Sequence, residues 1–373
     1  MTKIFATGVT GYLGGDAVHA ILAAHPEYEV TSLVRDKTKG AQVAEAHPSI
    51  RIVYGDLDDS TLLEEEAANT DIVCSTFYGS FSWPLKEFER RVLMPMDLTD
   101  FAHATHEPSV QALAKGLARR ERPGPGFLIH TMGSGTVIYD DVIQGRYGQG
   151  TDKVFNDLEG LAEVLSVPDF ARARGAENAA RTVGTWFPKR VKTAVVSTGS
   201  AYGLGRGILK YRPTAIHELA RSTLQRGRGV VVGEGKAAWR HVHVHDLSDL
   251  YLKLVEHAAA GGEETGAGPA VWGGTGGYYF AENGEHVWGE LARSISAEAA
   301  AQGFLSLADP EIIGPAEATE LTPLGQFFWG CNARVEGRRA RQALGWKPHR
   351  PPLRDEIKSI VATEAEKLGL NVV

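Results

Sequence analysis

The chain of 373 residues is short of several things, and each shortage removes a class of protein. It has 2 cysteines, Cys74 and Cys331, far apart and too few for a disulfide framework, and Cys74 falls in an expected buried strand. No apolar run approaches the length that crosses a bilayer, and no basic-then-apolar leader precedes the first expected strand. The expectation is a cytoplasmic protein in a reducing compartment, with no membrane contact. A net charge of -7 and a pI near 6.0 offer no electrostatic reason to bind nucleic acid or anionic lipid. Walker loops, zinc-finger spacing, the GxSxG elbow, internal repeats and low-complexity tracts are all missing.

What is present starts at the amino terminus. A short apolar strand, Ile4 to Ala6, runs into Gly8-Val9-Thr10-Gly11-Tyr12-Leu13-Gly14, and helical spacing follows through Ala17, Val18, Ile21 and Leu22. Strand, glycine turn and helix in that order can seat a dinucleotide pyrophosphate. Gly8 allows the sharp turn, Gly11 lets the backbone approach the phosphates, and Gly14 lets the helix pack closely on the strand. The unpaired amides at the helix start then face the anion.

A second apolar run, Val30 to Val34, ends at Arg35-Asp36, where the ribose is read. An acidic residue there binds the 2′-hydroxyl, whereas Arg pairs with a 2′-phosphate. With Lys37 and Lys39 nearby, NADP(H) is favoured over NAD(H), although Asp36 argues the other way. A third strand, Arg51 to Tyr54, leads to Asp56 and Leu57, where Asp56 could reach an adenine amino group and Asp59 or Ser60 caps the next helix. After Ile72-Val73-Cys74, Ser75 and Thr76 should border the cofactor.

An insertion from about 79 to 103, rich in aromatics such as Trp83, reads as a lid, a homodimer contact or local packing. A helix from Ser109 to Arg120 and a strand from Phe127 to Thr131 follow. Then Gly133-Ser134-Gly135-Thr136 places hydroxyls beside the expected nicotinamide. A sixth strand, Thr193 to Ser197, ends in Thr198 and leads to Ala201-Tyr202-Gly203. The alternation predicts an α/β fold, a doubly wound parallel sheet of the Rossmann type over residues 1–205. Residues 206–373 should form a smaller C-terminal α/β substrate lobe, interleaved with elements returning to the sheet. His241, His243 and His245 invite a metal reading, but three imidazoles along one strand diverge, so no metal is expected; Asp246 reads as the cap of a helix from Leu247 to Val255.

Thr7 to Gly14, Tyr54 to Asp59, His130-Thr131 with Gly133, Ala201-Tyr202-Gly203, His243 to Leu247 and Leu344-Gly345-Trp346-Lys347-Pro348 together resemble the extended short-chain dehydrogenase/reductases. These are the NAD-dependent epimerase/dehydratases, and within them the chain is similar to a fungal NmrA-like or epimerase-like branch over nearly its whole length. The resemblance implies an NAD(P)-binding Rossmann domain, a substrate lobe, and hydride transfer assisted by Ser/Thr and a Tyr-x-x-x-Lys pair. It also implies cofactor contacts at Gly8, Thr10, Gly11, Tyr12, Leu13, Gly14, Arg35, Asp56, Leu57, Ser75, Thr76, Thr131 and Thr198, and substrate contacts at Met132, Trp83 and Arg240.

The chain departs from that pattern at the chemistry. None of its 11 tyrosines has Lys four residues on; the nearest approach is Tyr202 with Arg206. The helix expected to carry the pair, Asp169 to Glu177, contains neither residue, and the usual serine position falls on Met132, flanked by Thr131 and Ser134. Substitute proton donors are Ser134, Tyr139, Tyr147 and Tyr202, with Tyr202 the best placed because it follows a strand ending at the cofactor, and His130 disfavoured by lying within one. Three readings follow: an NADP(H)-dependent oxidoreductase acting on a carbonyl or hydroxyl of a small molecule with a non-standard proton relay, a redox-neutral isomerase, cyclase or lyase, and a non-enzymatic NAD(P)-sensing regulator.

Overall fold

The computed structural model describes residues 1–76, 106–168, 174–210, 215–264, 266 and 268–370. The expected insertion with Trp83, and the stretch from Asp169 to Ala173, lie outside the described residues. The first half runs β1 (Lys3–Thr7), α1 (Tyr12–Ala24), β2 (Glu29–Val34), α2 (Lys37–Ala46), β3 (Arg51–Tyr54), α3 (Ser60–Ala68), β4 (Ile72–Ser75), α4 (Glu107–Arg119), β5 (Gly126–Gly133), a 3-10 turn (Ser134–Ile138) and α5 (Tyr139–Gln144). It continues with β6 (Phe155–Asn156), α6 (Leu161–Leu165), α7 (Arg174–Trp186), β7 (Val191–Thr198), β8 (Ser200–Tyr202), α8 (Ala215–Arg226), β9 (Val230–Val232), β10 (Ala238–His243) and α9 (Val244–Ala259). The rest comprises β11 (Tyr278–Ala281), β12 (Glu285–Val287), α10 (Trp288–Ala301), β13 (Glu311–Ile313), α11 (Pro315–Leu321), α12 (Gly325–Gly330), β14 (Val335–Glu336), α13 (Arg339–Ala343) and α14 (Leu353–Lys367).

Seven strands form one parallel sheet in the order β11-β7-β5-β4-β1-β2-β3. The central strands are covered on both faces, so they read as unbroken apolar runs, whereas the edge strand β3 keeps exposed ends. Successive side chains take opposite faces. Ile4, Ala6, Ile129, Val196 and Tyr279 lie beneath α1 and α9, which pack on each other. Phe5, Val73, Leu128, Val195 and Phe280 lie on the other face, whose core α3, α4 and α7 cover. The chain reverses direction across the sheet between β1 and β4, the switch point at which such sheets take ligands beyond their carboxyl ends.

Short strands build the second assembly. β8 pairs with β10 and β10 with β12, β9 with β13, and β6 with β14, so the segment after β5 is tied to the end of the chain. Helices α8, α10 and α14 pack together over it. β11 returns to the main sheet beside β7. Among the described residues no helix is long and apolar enough to cross a membrane. One local expectation is corrected: α9 is capped by His243, whose Nδ1 accepts from the His245 amide at 3.1 Å, and not by Asp246. The buried Asp246 carboxylate instead accepts the amides of His349 (2.9 Å) and Arg350 (3.1 Å), holding the C-terminal segment against α9.

Candidate functional site

At the switch point the glycine turn is shaped by contact. Gly8 has φ +79, and a Cβ there would sit 1.9 Å from the Thr76 carbonyl oxygen. A Cβ on Gly14 would meet Thr76 Oγ1 at 2.3 Å and the Gly8 carbonyl oxygen at 2.4 Å, so only glycine lets α1 settle on the strand ends. Thr76 Oγ1 donates to the Thr7 carbonyl at 2.6 Å and clips β4 to β1. Gly11 stands at the cap of α1 in extended conformation, and no side chain among the described residues caps that end. Gly8, Thr10 and Gly11 are the part-exposed members of the turn, while Tyr12, Leu13 and Gly14 are buried. The result is a concave run of backbone with an uncapped helix start behind it, a geometry suited to a diphosphate.

At the ribose end, Arg35 is exposed just beyond β2. Asp36 is the cap of α2, its Oδ1 accepting the Lys39 amide at 2.9 Å, which gives this carboxylate a structural task. Asp56 Oδ1 accepts the amides of Asp58 (2.9 Å) and Asp59 (3.2 Å), and Asp59 caps α3, accepting from Leu62 at 3.1 Å.

Several expected cofactor side chains turn inward and shape the bed from below. Tyr12 donates to the Gly203 carbonyl at 2.6 Å, Ser75 Oγ lies 3.3 Å from His130 Nδ1, and Thr198 Oγ1 donates to Gly199. Thr131 shares a hydrogen bond with Tyr251 of α9, and Leu57 is buried in the core. Ser75, Thr131 and Thr198, expected to border the cofactor, thus have hydroxyls that are engaged within the protein. Met132, expected at the substrate, is also fully buried.

The reaction end differs more. Tyr202 lies fully buried in β8, its hydroxyl donating to the Pro351 carbonyl at 2.8 Å and its ring wedged edge-on against His241 and His243. Burial, then the carboxylates of Asp246, Glu356 and Asp355, push its phenol up and out of useful range. This corrects the expectation that Tyr202 is the proton donor: it is a packed tyrosine with its one hydrogen engaged. Tyr147 packs edge-on against Phe327 in the second assembly, and burial pushes its phenol up to about 12. Ser134 is buried at the start of the turn after β5. Arg240 Nε stands 3.3 Å from Glu285, a carboxylate that Arg334 also grips at 2.9 Å, so two guanidiniums share one acid.

Composition and spacing missed two features. Asp16, fully buried in α1, accepts from Arg206 (2.7 Å from the amide, 2.7 Å from Nη2) and Ser248 (2.5 Å). Burial works to raise its pKa, but hydrogen bonds from Arg206 and Ser248 hold the carboxyl below its ordinary value. This pair ties the glycine-turn helix to the loop after β8; an acid inside an apolar helix face was the signal for it. Lys153 lies with Tyr139 on a cavity of about 130 Å³, and its sequence carries no such signal.

The comparisons with known proteins meet this geometry. Residues 8–110 match a family model described as NAD(P)H-binding. Oxidase ucsJ from Acremonium sp. is 61% identical over 370 residues, covering 99% of this chain and 99% of its own. The chain belongs to the same family as that oxidase. The fold is shared with a dTDP-glucose 4,6-dehydratase from Streptomyces venezuelae, crystallised with NAD (TM-score 0.62, 16% identity, covering 98% of this chain and 97% of that one). A UDP-glucose 4-epimerase from Thermotoga maritima is similar in fold as well (TM-score 0.61, 14% identity, 98% and 100%). The matches thus give an NAD(P)H-binding region and the fold of these neighbours, while the Tyr-x-x-x-Lys pair stays absent from this sequence.

Proposed function

We propose that this protein is an NADP(H)-dependent oxidoreductase acting on a carbonyl or hydroxyl carbon of a small molecule, with a proton relay other than Tyr-x-x-x-Lys. The observation that carries it is the backbone cradle at Gly8, Gly11 and Gly14: an added Cβ on Gly8 or Gly14 would collide with Thr76 or with the turn itself, and one on Gly11 would press on the Gly8 carbonyl at 3.1 Å. That cradle fits a dinucleotide diphosphate, with the uncapped start of α1 supplying amides. When bound, the dinucleotide supplies a site that gives or takes a hydride. Arg35 holds the 2′-phosphate through its fork of donors, and Asp36, engaged as a helix cap, leaves that site to it. The likeness to an oxidase over both full lengths supports redox chemistry.

Fluorescence titration with NADPH and NADH tests the cofactor reading: NADPH binds tighter, and Arg35→Ala erases the preference. Equal affinity for the two nucleotides in the unaltered protein overturns the NADP(H) choice. Single-turnover NADPH oxidation with a panel of aldehydes and ketones tests the redox reading. A product of unchanged oxidation level, with no nicotinamide consumed, favours an isomerase or lyase; tight binding with no turnover favours a sensor.

A further inference from the structure

Resting on the oxidoreductase reading, we propose that the cavity walled by Val137, Tyr139, Lys153, Phe155 and Ser166 receives the reacting end of the substrate. Its Tyr139 hydroxyl exchanges a proton with the substrate oxygen, and Lys153, on the same cavity with its partners Asp140 and Glu163, is the positioning residue. Val137 and Tyr139 follow the carboxyl end of β5, and Ser166 precedes α7, so both walls are connections on the carboxyl side of the sheet. Open α/β sheets take their ligands on that side. The volume of about 130 Å³ is close to the ~150 Å³ that admits a benzene ring, enough for one reacting fragment of a larger molecule.

Lys153 is well anchored. Its Nζ lies 3.1 Å from Asp140 Oδ2, 3.2 Å from Glu163 Oε1 and 4.4 Å above the Phe155 ring. A phenol and a fixed ammonium thus line one cavity although they come from separate segments, whereas the usual couple comes from one helix turn. In the oxidising direction the substrate O–H bond breaks and its proton passes to Tyr139 as phenolate. The adjacent C–H bond breaks and its hydride, carrying both electrons, is taken by the oxidised nicotinamide dinucleotide as the C=O bond forms. Carbonyl reduction is the reverse, with Tyr139 giving up its proton.

The first test reads binding. Ligand-observed NMR with benzyl alcohol on the NADP-loaded protein should show the ring bound, and Ser166→Trp, which fills the cavity, should abolish the signal while leaving the melting temperature within a few degrees. No binding to the unaltered protein, or equal binding to the folded Ser166→Trp variant, overturns the pocket. The second test reads benzaldehyde reduction. Tyr139→Phe should lower kcat at least 100-fold with KM and NADPH affinity within threefold; Lys153→Met should lower it about 10-fold and displace one limb of the pH profile, and Lys153→Arg should restore both. A full rate in Tyr139→Phe removes Tyr139 while leaving the oxidoreductase reading intact. An unaltered protein that binds no NADPH overturns that reading and this one together.

Discussion

The two ends of the carboxyl edge of the sheet are built on different terms. At the phosphate end, one unbroken segment from Lys3 to Ala24 makes strand, turn and helix; Thr76 packs against the turn, and Gly203, Arg206 and Ser248 hold the helix. At the reaction end, β5, the loop from Ser134 to Pro168, β8, β10 and the C-terminal segment converge from across the chain. The difference teaches that local backbone requirements preserve the first, while the second depends on long-range contacts that spacing does not announce. It also separates their chemistry: the reaction side keeps buried neutral imidazoles, whereas the cradle is a backbone device.

Acid should break this comparison most strongly. Burial holds His241 and His243, both on β10 beside β8, down to about 4, against an ordinary 6.5. The unfolded chain therefore binds protons that the native protein refuses. Their stability contribution is full above pH 6.5 and is lost as pH falls toward 4, at up to about 1.4 kcal/mol per pH unit for each histidine. Hydrogen exchange at pH 5 should open β8 and β10 before β1 and β4, and uniform opening would contradict the contrast.

Gly8→Val should be the largest single substitution. The positive φ and the collision with Thr76 predict a loss of about 3 kcal/mol or more and no measurable NADPH binding by fluorescence. Asp16→Asn, which leaves Arg206 without its acid, should cost about 3 kcal/mol in urea unfolding, since breaking a buried pair strands the partner. Arg35→Ala, at the surface, should weaken NADPH by about 2 kcal/mol, roughly 30-fold, and leave NADH nearly unchanged. Tyr202→Phe sharpens the comparison at the smallest scale: it should cost about 1 kcal/mol of stability, through the unpaired Pro351 carbonyl, and leave turnover intact. A strong loss of rate in that variant would return Tyr202 to the mechanism.

Much of the fold was legible because its signals are local. The runs that became β1, β2, β4, β5 and β7 are apolar for a reason that holds along each strand, burial on both faces, and Asp59 caps its helix by contacting a residue three positions on. Asp246 misled because the same residue type caps helices locally and holds distant amides when buried; only the arrival of His349 and Arg350 distinguishes the two. Tyr202 misled in the same way. It follows a strand that ends at the carboxyl edge, yet its direction is decided by Pro351, nearly 150 positions on.

The amino-acid sequence alone determined the glycine cradle, the parallel sheet and the missing Tyr-x-x-x-Lys pair, because turn conformation, strand burial and a four-residue spacing are properties of contiguous chain. Tertiary structure alone decided which hydroxyls are engaged, that Asp16 is bound by Arg206 and Ser248, and that Tyr139 and Lys153 share one cavity. Those outcomes depend on which distant segments meet and which groups lose water when they do, and no local pattern encodes either.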